Sequence, residues 1–279
     1  MGCPKGYPFF YMIHLNLTSG KKVYFASDFH LGFPDEITSR EREKALVSWL
    51  DGVRCDAQEL FLLGDLFDFW FEYKTAVPKG FVRFLGKLSE LADQGIQIHI
   101  FVGNHDLWMW DYLEKEIGAI IYREPSDLKI TTASKLFQLH IGHGDGLGPG
   151  DTGYKILKKV FTNRLAQGLF GFLHPNVGIS LANFWSSTRK VSTLEKGEDA
   201  FQAETDFILA YVRETAAKKQ EIESFVFGHR HHPMAFPVGS AATYYNLGDW
   251  FNPQFKNAYY LQIDENKIDF IHFNAASSV

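Results

Sequence analysis

Five short polar motifs punctuate this chain of 279 residues, and each follows directly on a strand-like apolar run. Asp28-Phe29-His30 follows the run 23–27, Gly64-Asp65-Leu66-Phe67-Asp68 follows 60–63, and Gly103-Asn104-His105-Asp106 follows 96–102. His143-Gly144-Asp145 comes after Leu136–Ile141, and Gly228-His229-Arg230-His231 comes after Ser224–Phe227. In a parallel-rich α/β sheet the carboxyl ends of the strands meet at one crevice. A chain patterned in this way is constrained to bring five polar loops to one place.

The intervening segments agree with that constraint. Helical spacing over 38–53 and 81–94 separates the first three strands and a third helix over 110–118 follows them, which predicts parallel βαβ pairing with both sheet faces covered. The second half changes style. The runs 128–132 and Leu136–Ile141 read as a hairpin around 133–135. Ser224–Phe227, 243–246, and the pair Tyr259–Ile263 with Ile268–His272 then continue as strands, expected in a second sheet packed on the first. The fold expected is an α/β two-sheet sandwich flanked by helices. Its domain spans 21–275, and 1–20 forms an N-terminal extension. Residues 151–197 fit neither sheet: they are apolar and aromatic, with seven basic residues against two acidic ones, and read as a helical insertion.

Composition narrows the function classes. With 46% hydrophobic and 22% charged residues the chain can bury a sizeable core. A net charge of -5 argues against a nucleic-acid binder held by backbone phosphates. Cys3 and Cys55 are isolated and read as free thiols of a reducing compartment. The apolar stretch 8–17 is short and lacks a basic flank, and nothing reaches the roughly 18 uncharged residues of a membrane span. Gly2 is not set in a lipidation signal. The cytoplasm is the expected location.

The residue types in the motifs suit metal chemistry. Residues i and i+2 lie on one side of an extended chain, so Asp28 with His30, and His229 with His231, can each reach one cation. A carboxylate at a strand end, such as Asp65, can bridge two cations. The Asn104 amide is a neutral hard ligand, and His143 adds another imidazole. His105 is placed to donate to a phosphoryl oxygen, with Asp106 expected to orient its ring. Each motif alone has a bland reading as a polar turn or a helix cap; five together, each at a strand end, do not. His14, His99, His140, His174, His232 and His272 stand outside the motifs and read as packed or solvated. The aromatic run Phe67, Phe69, Trp70, Phe71 and Tyr73 either lines the site or packs beneath it.

In order and content these motifs resemble the calcineurin-like metallophosphoesterases over most of 21–249. The resemblance implies that Asp28, His30, Asp65 and His231 hold one metal and that Asp65, Asn104, His143 and His229 hold the other, with Asp65 bridging. Gly64-Asp-Leu-Phe-Asp-Phe-Trp, and His143-Gly-Asp-Gly-Leu with Asp151-x-Gly-Tyr154, are more narrowly similar to the UDP-2,3-diacylglucosamine hydrolases of lipid A synthesis. That likeness implies cleavage of a lipid-linked sugar nucleotide's pyrophosphate, giving the acylated sugar 1-phosphate and UMP. It makes the insertion a lid for acyl chains and Asn104, Asp151, Tyr154, Ser187, Arg189 and Lys190 substrate contacts. His105 departs from it, since many of those hydrolases carry Arg there.

By the same resemblance the cofactor is a pair of divalent ions, Mn²⁺ ahead of Fe or Zn, roughly 3.5–4 Å apart and activating water for in-line attack. The insertion's basic and aromatic residues suit an anionic membrane surface, placing the protein at the periphery of the inner membrane. The rival readings are a metallophosphoesterase for another nucleotide, phosphodiester or phosphomonoester, and a non-catalytic metal-stabilised module. Missing ligands would mark the second rival, and all seven positions are filled.

Overall fold

The computed structural model of the protein describes residues 12–150, 152–180, 201–252 and 254–274. Strand β1 (Met12–Asn16) is followed by β2 (Lys22–Ala26), helix α1 (Glu36–Val53), β3 (Ala57–Leu62), α2 (Val82–Asp93) and β4 (Gln97–Phe101). Then come α3 (Tyr112–Ile117), β5 (Ile120–Tyr122), β6 (Ser126–Thr131) and β7 (Leu136–Ile141). The insertion helices α4 (Thr152–Phe161) and α5 (Arg164–Gly171) precede α6 (Phe207–Lys218) and β8 (Ser224–Phe227). Strands β9 (Met234–Val238), β10 (Ala242–Asn246), β11 (Tyr259–Ile263) and β12 (Ile268–His272) complete the chain.

Two six-stranded sheets result, one ordered β12-β11-β2-β3-β4-β5 and the other β1-β6-β7-β8-β10-β9. Strand alternation divides the core. On β2, Val23 and Phe25 face the second sheet, while Tyr24 and Ala26 face the helices. On β3, Phe61 goes to the inter-sheet layer, and Leu60 and Leu62 go under α1 and α2. Phe61, stacked 5.0 Å from Phe25, meets the second sheet's Leu128, Ile130, Phe137, Leu139 and Ile141 in one layer. A period of 2 with both faces apolar is the pattern of a strand buried between layers. Helix α6 covers the outer face of the second sheet through Ile208, Leu209 and Val212 against Phe225, Phe227 and Tyr244.

Several details differ from the sequence reading. The hairpin β11–β12 joins the first sheet, antiparallel to β2 with Leu261 opposite Phe25, because Leu261 and Ile263 complete the inter-sheet layer there. Strand β1 falls within 1–20 yet extends the second sheet, parallel to β6 with Leu15 opposite Ile130. Strands β5 and β9 and helix α6 were not foreseen. β5 has three residues, and β9 carries Pro237, which is tolerated because β9 is an edge strand. Helix α1 starts at Glu36, before the expected 38, because the Asp35 side chain accepts from the Ile37 and Thr38 N–H groups.

Within the insertion, α4, α5 and residues 175–180 are helical. Phe170 seats α5 with its ring 4.8 Å from both Phe71 and Trp108, and Trp108 Nε1 donates to the Phe161 carbonyl at 2.8 Å. The aromatic run is thereby resolved. Phe67, Trp70 and Phe71 are buried in the core beneath the site, and Phe69 and Phe71 meet the insertion. Cys55 is a free, exposed thiol.

Candidate metal centre

The D-x-H loop leaves β2 in a conformation that few residues adopt. Asp28 and His30 have φ of 56° and 44°, and Asp65, His229 and His231 have 52°, 68° and 54°. Five of the seven non-glycine residues with positive φ, among the described residues, are therefore candidate ligands. Each such residue costs on the order of 1–3 kcal/mol and persists only where its surroundings over-determine it. Here the loops hold one another. Asp28 N donates to Gly64 O (3.0 Å), His30 N to Asp65 O (2.9 Å) and Leu31 N to Leu66 O (3.0 Å). Phe29 turns the opposite way into the core against Phe84 and Trp250, so Asp28 and His30 share one side.

The side chains gather into three overlapping groups, two of them joined by Asp65, and the third, His30 with Asp68 and His105, joined to the first through His30. Asp28, His30, Asp65 and His231 present ligand atoms within 4.8 Å of one another, and so do Asp65, His143 and His229. His30 Nε2 is 3.1 Å from His231 Nε2, which is 3.2 Å from Asp28 Oδ1. In the other group His143 Nε2 is 3.3 Å from Asp65 Oδ2 and 3.2 Å from Asn104 Oδ1. His143 Nδ1 donates to the Leu63 carbonyl at 2.8 Å, which turns Nε2 toward Asp65 and Asn104. All seven residues expected from the motifs are thus brought together, with Asp65 shared.

Electrostatics make the set electron-rich. Burial pushes the Asp28 carboxyl up, but hydrogen bonds from His231 and His30 outweigh it and hold it well below the ordinary carboxylate range. Burial also opposes ionisation of Asp65, and the charges on His143, His105 and His30 outweigh it. His229 is pushed down to about 3 by burial and then by the positive charge on His143, so it stays neutral with a lone pair to offer. His143 goes the other way. Burial disfavours its charge, yet Asp65, Asp28 and Asp145 raise it to about 10.

The donor set suits divalent cations. Mixed imidazole, carboxylate and amide ligands suit borderline metals, and buried carboxylates call for a compensating charge. Two motif glycines serve the same end. A Cβ on Gly103 would overlap the Asp65 carboxylate, and one on Gly228 would overlap that of Asp28.

One expected role is corrected. Asp106 does not hold the His105 ring, because its oxygens accept from Gly103 N (2.7 Å) and Leu66 N (2.8 Å) and tie the second and third loops together. Burial, then repulsion from Asp65, raises Asp106 to about 7. His105 Nδ1 instead faces the Asp68 carbonyl at 2.8 Å, and its backbone N–H donates to Asp65 Oδ1 at 2.8 Å. Asp68 is the residue that sequence reasoning left without a role. Its Oδ1 lies 3.6 Å from His30 Nδ1 and 3.7 Å from His105 Nδ1. The second Asp of G-D-x-x-D was the available signal.

Of the expected substrate contacts, Asn104 lies in the cluster. Tyr154 is buried and donates to Asp145 Oδ2 at 2.5 Å, beside Lys158 Nζ at 2.7 Å from the same oxygen. Asp151, Ser187, Arg189 and Lys190 lie outside the described residues. His99 and His140 are packed histidines, paired with Glu59 and Tyr122 and with Asp127 and Tyr211 respectively. Among the described residues no helix is long and apolar enough to cross a membrane.

Comparison with known proteins matches residues 21–271 to the calcineurin-like phosphoesterase family. The chain is 36% identical over 240 residues to the UDP-2,3-diacylglucosamine hydrolase of Porphyromonas gingivalis, covering 82% of this chain and 90% of that one. It is 27% identical over 258 residues to the UDP-2,3-diacylglucosamine hydrolase of Pseudomonas fluorescens, covering 91% and 96%. Among solved structures it is similar to a dimetal phosphatase from Danio rerio, with a TM-score of 0.44, 12% identity and coverage of 91% and 96%.

Proposed function

The chain belongs to the calcineurin-like phosphoesterases, and from that premise we propose that it hydrolyses the pyrophosphate bond of UDP-2,3-diacylglucosamine in lipid A biosynthesis. The products are 2,3-diacylglucosamine 1-phosphate and UMP. The observation that carries the reading is Asp65, shared between two ligand groups built by loops at the ends of five strands. The likeness to hydrolases bearing that substrate's name, along most of the chain, supports the choice of substrate.

Asp28, His30, Asp65 and His231 would hold one divalent ion, and Asp65, Asn104, His143 and His229 the other. When bound, two such ions lower the pKa of a water and offset charge on the attacking and leaving oxygens. The residues around them do the positioning. Asp65 is anchored by the His105 N–H, and His143 is turned by the Leu63 carbonyl. His105, whose Nδ1 faces the Asp68 carbonyl, would donate through Nε2 to a phosphoryl or leaving-group oxygen. Mn²⁺ is the ion we favour over Fe or Zn.

Residues 151–197 act as a lid in this reading, with Asn104, Asp151, Tyr154, Ser187, Arg189 and Lys190 toward the substrate. Leu165, Leu169 and Phe172 are exposed on and just after α5, and residues 152–180 contain Lys155, Lys158, Lys159 and Arg164 with no acidic residue. Exposed apolar groups beside a net positive charge, of which among the described residues only Lys158 is paired, with Asp145, support docking on the anionic cytoplasmic face of a membrane, where a lipid-linked substrate resides. Flotation with anionic vesicles at low salt tests that part.

The reaction is tested by stripping the protein of metal, restoring Mn²⁺ and following UMP from UDP-2,3-diacylglucosamine. Mn²⁺-dependent release is the expected result. No release, with a generic phosphodiester still cleaved, would favour the second reading that His105 invites, another nucleotide or phosphodiester substrate at the same centre.

A further inference from the structure

Arg42 is a charged residue in the core, on α1, only 2% exposed. Its guanidinium donates to three backbone carbonyls. Nη1 reaches Phe29 O at 3.1 Å and His30 O at 2.7 Å, and Nη2 reaches Phe251 O at 3.1 Å. Burial lowers its pKa to about 10, opposed by the charges of Asp249, Asp68 and Asp35, so it is cationic at neutral pH. Two of these carbonyls belong to the D-x-H loop, where His30 is held in the left-handed region. The third belongs to Phe251, whose ring lies 5.6 Å from that of His30 and 5.0 Å from that of His231. One planar fork thus fixes the loop behind His30 and the aromatic wall beside both imidazoles. None of its contacts reaches Asn104, His143 or His229.

We propose that Arg42 is a positioning residue for one of the two cation positions, the one framed by Asp28, His30, Asp65 and His231. The inference rests on the two-ion reading given above. A fork of fixed N–H vectors spans three carbonyls from one place, whereas a lysine ammonium is a compact point charge on a flexible stem. Removing the fork frees His30 and Phe251, whereas Asn104, His143 and His229 of the second group sit on the loops after β4, β7 and β8, which Arg42 does not contact.

The test compares wild type, R42K and R42M, each stripped and titrated with Mn²⁺. Ions per chain are counted by mass spectrometry, and the paired or isolated state of Mn²⁺ is read by electron paramagnetic resonance. Melting temperature is followed alongside, with L88A as a core variant away from the site. Wild type is expected to bind two ions with a coupled spectrum. R42M is expected to keep one ion at near wild-type affinity, hold the second about 10–100-fold more weakly and show the isolated spectrum. R42K should fall between them, and it carries the test if R42M does not fold. L88A should lose stability and keep both ions. Two ions of unchanged affinity in R42M and R42K, or equal weakening of both, would overturn the proposal. Fewer than two ions in wild type would overturn the two-ion reading itself, and this proposal with it.

Discussion

The Asp68 carbonyl accepts from His105 Nδ1 at 2.8 Å, and that contact fixes which imidazole nitrogen carries the hydrogen on that side of the ring. A carbonyl can only accept, so Nδ1 carries a hydrogen, and in the proposed reaction Nε2 would be the atom that transfers a proton. The ring is also held edge-on to His30, at a centroid distance of 4.8 Å, which keeps it beside the ligand groups. Replacing His105 with Ala should lower kcat by about 10²–10⁴-fold, the usual worth of a positioned general acid, while the number of bound metal ions stays the same. Steady-state kinetics with a metal count on the same sample checks this, and unchanged turnover would take His105 out of the reaction.

Asp106 should behave differently. It joins the loops through the Gly103 and Leu66 N–H groups, both buried. Asp106→Asn has one carbonyl oxygen to offer in place of two carboxylate oxygens, so one donor loses its partner at a cost of about 1–3 kcal/mol. Urea unfolding should register that loss. The pH dependence of kcat should keep its His105 limb in place; a shifted limb would return Asp106 to the role of orienting the ring.

A pH effect on stability is expected away from the metal centre. Burial raises the Asp127 carboxyl, but its hydrogen bonds to His140 Nδ1 (2.6 Å) and Lys219 Nζ (2.5 Å) outweigh burial and hold it below its ordinary value. A depressed carboxyl contributes stability above its unfolded pKa, about 3.9, and loses it as pH falls through the lower folded value. Asp127→Asn should therefore be less stable than wild type by about 1–3 kcal/mol near pH 7. The gap should close as pH falls below about 4. Urea titrations of both proteins across that range read the gap directly, and a gap that is constant with pH would refute the ionic origin.

Much of the centre was legible because its chemistry sits in local motifs. The seven ligand types and their strand-end positions follow from short stretches such as Asp28-Phe29-His30. The sharing of Asp65 was implied by the family resemblance, and the common side of Asp28 and His30 comes from left-handed backbone in place of the extended alternation expected. The inter-sheet strands were legible for the same reason, through the apolar runs of β2, β3 and β7. What escaped depended on distant partners. Nothing local says that Tyr259–Ile263 pairs with β2, that a β1 edge strand lies within 1–20, or that Arg42 reaches the loop after β2 and Phe251 together. The partner of the His105 ring was misjudged because sequence proximity favoured Asp106, while the fold brings the Asp68 carbonyl from the neighbouring loop.

The central claim is that one carboxylate, Asp65, serves two metal positions, and metal counting on Asp65→Asn tests it most directly. With wild type, His143→Ala and His231→Ala beside it, the expected pattern is two ions in wild type and one tightly held ion in each histidine variant. Asp65→Asn should hold neither tightly, since its neutral side chain loses both the charge and the second oxygen that the two groups share. An Asp65→Asn protein that is folded and still holds one ion at wild-type affinity would show that Asp65 belongs to a single position, and would contradict the bridged centre.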